Sequence, residues 1–140
     1  MNNAINTSLS GLLASTSKLN VAASNIVNSR NTSTPKGTFA ANPSAAALVN
    51  KAYTPLKHEQ SSNKYGGVMS YNIPVNPASL TAYAPDDPVA NEDGYVAIPN
   101  VNEFVEVGEM IKATNAYKAN AQVLSTLAEI EEDFLDQFKD

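Results

Sequence analysis

The sequence contains no cysteine and no tryptophan. Without thiols there can be no disulfide, zinc ribbon, thiolate nucleophile or iron–sulfur cluster. Such a chain suits a reducing compartment, or a path between compartments with no covalent staples. His58 is the single histidine, so neither a histidine metal cluster nor a triad with a second histidine can be built. Beside Glu59 in a polar stretch, it reads as a surface loop residue. No run approaches the 18 or so consecutive apolar residues of a membrane span. Residues 1 to 17 also lack the basic start and long apolar run of a secretory signal. The expectation is therefore no direct membrane span, and any export without a cleaved signal peptide.

Large apolar side chains are also scarce. Hydrophobic residues make up 43% of the 140, but 20 of them are alanine and aromatics reach only 7%. Burial stabilises by roughly 25 cal/mol per Å² of apolar surface, so an alanine-rich chain supports a private core weakly. The composition points to surface buried against other molecules. The formal charge of −5 is unevenly placed: residues 1–85 carry six Lys or Arg and one acid, residues 86–140 three Lys and thirteen acids. The bases stand singly and without interleaved aromatics, which argues against nucleic-acid binding. The two halves could instead attract each other, within a subunit or between subunits.

All eight prolines lie between Pro35 and Pro99, with four of the six glycines. That divides the chain into an N-terminal helix (1–34), a Pro-rich, β-rich insert (35–101) and a C-terminal helix (102–140). The fold class is α+β, with long terminal helices pairing as a coiled-coil-like element around a small irregular middle.

From Asn2 to Asn28, the positions Ile5, Leu9, Leu12, Thr16, Leu19, Ala23 and Ile26 alternate steps of four and three, a heptad seam about 40 Å long. The rest of that surface is Asn, Ser, Thr and Ala with Lys18 alone charged, which suggests helix contacts on several sides. A flexible N-terminal arm is the alternative. The second seam runs through Val107, Met110, Thr114, Tyr117, Ala121 and Leu124, and widens through Leu127, Ile130, Phe134 and Phe138. Asn100, three residues before Glu103, resembles a capping box. Gly108 predicts a separate or kinked first turn. In the middle, Tyr65-Gly66-Gly67 predicts a turn before an edge strand near Val68 to Val75. Glu92-Asp93-Gly94 predicts a turn entering a strand at Tyr95. A short helix is expected over 42–52.

Chemistry is thin. Asp86-Asp87-Pro88 reads as a turn, and the acidic run around Glu131 as a solvated helix face without the glycine-centred loop of a calcium site. No phosphate-binding loop or nucleophile elbow is present. The expectations are no enzyme activity, no cofactor and no metal.

Two stretches carry a resemblance. Ser10-Gly11-Leu12-Leu13-Ala14, followed by Leu19-Asn20-Val21-Ala22-Ala23-Ser24-Asn25-Ile26-Val27-Asn28, resembles the N-terminal signature of the flagellar rod and hook axial proteins. The second comprises Asp93-Gly94-Tyr95-Val96-Ala97-Ile98-Pro99-Asn100-Val101-Asn102, Glu109-Met110-Ile111 and Ala116-Tyr117-Lys118-Ala119-Asn120. It is similar to the C-terminal signature of the proximal-rod members of that family. Residues 36–84 match poorly, and Asn115 stands where the family commonly has Arg.

The resemblance implies a structural subunit that assembles through its terminal helices, transmits torque and lines an export channel. Its partners would be copies of itself, other rod subunits, and components of the export apparatus and MS-ring adaptor. Its place would be the periplasmic rod of the basal body. The expected assembly residues are Ile5, Leu9, Leu12, Leu19, Asn25, Ile26, Asn28, Tyr117, Asn120, Leu124, Leu127 and Ile130. Another short axial component, or a coiled-coil adaptor, is the alternative. Before assembly the termini are expected to be largely disordered.

Overall fold

Asn, Ser and Thr are indifferent helix formers because their side chains compete for the backbone. Helix α1 (Asn2–Asn28) turns that competition inward. Ser15 Oγ donates to the Gly11 carbonyl at 2.7 Å, Thr16 Oγ1 to Leu12 at 3.0 Å and Asn28 Nδ2 to Ser24 at 2.8 Å. Each bond returns one turn along the helix, so the polar groups are satisfied without a partner helix. The computed structural model describes residues 2–42 and 52–137. The helix expected over 42–52 thus lies, apart from its end residues, outside the described part.

The middle forms two small sheets. Strands β1 (Leu56–Ser62) and β2 (Val68–Pro74) pair across a turn in which Gly66 and Gly67 have φ of +94° and +85°. Those angles lie where L-residues are disfavoured, which explains the expected Gly-Gly turn. Pro74 closes β2 at its end, where no ladder donor is needed.

Strands β3 (Ser79–Tyr83) and β4 (Tyr95–Pro99) are antiparallel, with Leu80 opposite Ile98 and Ala82 opposite Val96. Ser33 bonds Ala97 on the other edge of β4, N–H to carbonyl in both directions at 3.0 and 2.7 Å. The turn into β4 is organised by Asn91, whose Oδ1 accepts from the N–H of Asp93 at 3.1 Å and of Tyr95 at 2.8 Å. Gly94 has φ +79°, and a Cβ there would stand 3.0 Å from the Tyr83 ring.

Helix α2 (Glu103–Asp136) is continuous. Asn102, not Asn100, is its cap: Oδ1 accepts from the N–H of Phe104 at 3.1 Å and of Val105 at 3.3 Å. Asn100 is drawn off to the approach to β3, its side chain donating to the Pro77 carbonyl at 3.0 Å and its N–H to Ala78 at 2.9 Å. The kink expected at Gly108 is absent. A missing side chain leaves the backbone ladder intact, and its cost of about 1 kcal/mol is small in a 34-residue helix.

The chain gathers into two compact units, each drawn from separate segments. The first comprises Met1–Ala22, His58–Asn72 and Val107–Asp140; the second comprises Ala23–Lys57 and Ile73–Glu106. The second unit holds the apolar centre: Val89, Ala90 and Val96, with Ala82, Ala84 and Ile98 packed around them. Among the described residues the fully buried part of that cluster is three side chains. Replacing the cap, Asn102→Ala, should cost about 1 kcal/mol. Amide hydrogen exchange should show faster exchange confined to the first turn of α2.

Candidate assembly surfaces

In the second unit the α1 segment is fixed by one amide. Asn25 is fully buried, at 0% exposure. Its Nδ2 donates to the Leu56 carbonyl and to Glu106 Oε1, both at 2.8 Å. Its Oδ1 accepts from the Tyr53 hydroxyl at 2.7 Å and the Leu56 N–H at 3.2 Å. Both donors and both lone pairs are thus engaged, which is the full capacity of the group. One turn later Ser29 Oγ donates to Glu103 at 2.7 Å, and Arg30 Nε donates to the same oxygen at 3.1 Å. The Arg30 hydrogen bond, then that of Ser29, holds the Glu103 carboxyl below the usual range.

In the first unit, Glu109 accepts from Lys112 on its own helix at 2.7 Å and from Lys18 of α1. Those bonds, Lys112 first, lower its pKa. Gly11 meets Asn120 so closely that a Cβ would lie 2.7 Å from the amide nitrogen. With Gly11 opposite Asn120 and Lys18 opposite Glu109, the two helices run antiparallel. Ser10 Oγ accepts from the Val68 N–H at 3.0 Å and so seats the β1–β2 hairpin. Between α1, α2 and that hairpin lies a groove of about 250 Å³, floored by small residues including Gly11, Ser15, Ala113 and Ala116 and edged by Lys18 and Lys112.

These contacts define a seam that sequence reasoning missed. Ser8, Gly11, Ser15, Lys18, Ala22, Asn25 and Ser29 alternate steps of three and four, parallel to the apolar seam. Ser8, Ser15, Ala22 and Asn25 on it are buried. Its signal was present, but small and polar residues do not register as a stripe when only apolar periodicity is counted.

The apolar seam is placed differently. Ile5, Leu12, Leu19 and Ile26 are half-buried, as are Leu124 and Leu127 on α2. Leu9, Tyr117 and Ile130 are exposed at 46%, 43% and 52%. Leu13, Val27, Ile111 and Val123 are exposed as well. Asn28 is half-buried, donating to Ser24 and accepting from Asn31 at 2.7 Å, and Asn120 abuts Gly11. Of the twelve expected residues, Asn25 and Asn120 meet the other helix inside the chain, whereas Leu9, Tyr117 and Ile130 keep large apolar or aromatic surface open.

The residues suspected of chemistry have structural roles. His58 lies on β1 and not in a loop, because the hairpin begins earlier than the Gly-Gly turn suggested. Its Nδ1 meets Asn72 Oδ1 at 2.8 Å. Asp87 Oδ1 accepts from the Val89 N–H at 3.0 Å, as the expected turn requires. Among the described residues, no group of three or more His, Cys, Asp or Glu could hold a metal. No described helix is long and apolar enough to cross a membrane.

Comparison with known proteins places this architecture. Residues 92–137 match the family described as flagellar basal body rod FlgEFG protein C-terminal, which sets the class at flagellar rod proteins. Over most of its length, the chain is 36% identical to the flagellar basal-body rod protein FlgC of Buchnera aphidicola subsp. Schizaphis graminum, across 89% of this chain and 88% of that one. It is 34% identical to FlgC of Yersinia enterocolitica, covering 84% and 82%, and 32% identical to FlgC of Escherichia coli O6:H1, covering 84% and 83%. The chain belongs to the FlgC family of flagellar basal-body rod proteins.

Two outcomes test the geometry. Asn25→Ala removes a fully buried amide and takes its partner from the half-buried Leu56 backbone and Tyr53 hydroxyl, at about 1–3 kcal/mol for each polar group left without a bond. A lowered unfolding midpoint, and faster amide exchange near Leu56, should follow. The acid side should respond through Glu109. Its folded pKa is depressed, so its stabilisation is complete above the ordinary carboxylate pKa near 4.3 and is lost as pH falls through the lower folded value. Thermal melts followed by circular dichroism should lose part of that acid-side slope in Glu109→Gln.

Proposed function

We propose that the chain is a structural subunit of the proximal rod, joining copies of itself and other rod components through the outward faces of α1 and α2. One observation carries this reading: the small, polar seam is consumed inside the chain while large apolar side chains remain open along both terminal helices. Covering a half-exposed Leu, Ile or Val contributes on the order of 1 kcal/mol. Association costs about 4–15 kcal/mol in lost freedom. A single neighbour touching a few such residues would barely hold, so the arrangement favours a lattice in which each subunit touches several. The same geometry suits torque, which would be spread over many modest contacts.

The finer expectations belong to this proposal. They are the periplasmic rod as location, export without a cleaved signal, contact with the export apparatus and MS-ring adaptor, a channel-lining role, and a mechanical rather than catalytic task. The twelve assembly residues, and the division at 34 and 101 between helices and insert, stand with them. Leu19→Asp or Leu127→Asp should be synthesised normally yet abolish rod assembly and swimming. Motility in soft agar, together with electron microscopy of basal bodies, reads the result. Normal swimming by either variant sinks the assignment of the apolar seam.

A further inference from the structure

The distal end of α2 is amphipathic in a particular way. Glu129, Glu131, Glu132 and Asp133 crowd its later turns, and no Lys or Arg occurs between Lys118 and Lys139. No base lies in the last turn. The negative pole of the helix falls at this end, so a cation supplied from outside is favoured there. Ile130, 52% exposed, stands on the helix surface between Glu131 and Asp133. The first unit also offers a receptor of the opposite kind, the groove of about 250 Å³ floored by Gly11 and Ala116 and edged by Lys18 and Lys112. Glu109 is shared by both lysines, which leaves the rim one formal charge positive.

We infer that the Ile130 end of α2 docks into the lysine-edged groove of a second copy of this chain. Ile130 fills the space above Ala116, while Glu131 and Asp133 meet the rim cations. Within one chain the contact is impossible. Ala116 and Ile130 sit on one continuous helix about 21 Å apart. Docking is therefore between subunits, either head to tail or as a reciprocal pair. The inference rests on the rod reading and specifies one interface within it.

The absence of native cysteine makes a clean test possible. A double variant, Ala116→Cys with Ile130→Cys, is expressed in place of the native chain, and purified basal bodies are mildly oxidised. Disulfides need Cα atoms within about 7 Å, so an intrachain bond is excluded. Crosslinked species of two or more copies are expected, and each single variant should give none through this contact. Basal bodies that contain the variant yet yield only monomer overturn the docking. Failure of the rod reading looks different, because the variant is then absent from purified basal bodies. A second variant, Ala116→Leu, fills the groove from an exposed helix position. It should keep its helix content and lose incorporation; unchanged incorporation counts against the groove.

Discussion

Helices approach closely only where neither carries a bulky side chain, and in this chain that approach is confined to a line of small and polar residues on α1. Gly11 against Asn120 is one such close approach, with no room for a Cβ. Asn25 anchors the line, since all four hydrogen-bonding positions of one buried amide are used. The inner face sets buried Ser8, Ser15 and Asn25 beside Ala14, Val21 and Ala22, a departure from the usual amphipathic helix, whose core face is apolar. That departure has a direct consequence. Hydrogen bonds are directional and costly to leave unmade, so they fix rotation and register of α1 where an apolar stripe would permit slippage.

The strands serve the same end. The Tyr53–Leu56 stretch reaches Asn25 through backbone and hydroxyl, and the β1–β2 hairpin is seated by the Ser10 hydroxyl. Neither contact requires a large apolar core, and the buried centre around Val96 is correspondingly small. Stability of the lone chain then depends on networks such as Ser29–Glu103–Arg30 and Lys18–Glu109–Lys112. The exposed Arg30 and Lys112 are screened by salt and contribute modestly, whereas Lys18 and Glu109 are partly buried and screened less.

Periodicity made the long elements legible. The heptad steps from Ile5 to Ile26 and the confinement of proline to 35–99 located both helices, and Gly66-Gly67 and Gly94 located turns by the positive φ they supply. The signature around Asn25 marked that residue as an assembly contact but not as a hub, because its partners Tyr53, Leu56 and Glu106 lie 28 to 81 residues away. Sequence spacing reports which residues share a face, not what that face meets. The cap was misread for a similar reason. Asn100 and Asn102 both precede α2, and the choice fell to a bond from Asn100 to Pro77, 23 residues upstream. The hydroxyl-lined seam went unread because Ser, Gly and Lys share no hydropathy, only size and spacing.

Separating the two seams also separates two tasks on one helix. If the apolar seam held α1 to α2, assembly and folding would compete for the same side chains, and each docking event would disturb the fold it requires. With the polar seam turned inward, Leu9, Leu13 and Val27 are presented on a helix whose rotation is already set. Neighbours then meet a prearranged surface, and less ordering is left to be done at contact. The half-buried Leu12, Leu19 and Ile26 lie between the two faces and belong to both. They are the positions where tight packing inside the chain and docking outside it must be satisfied by the same side chain.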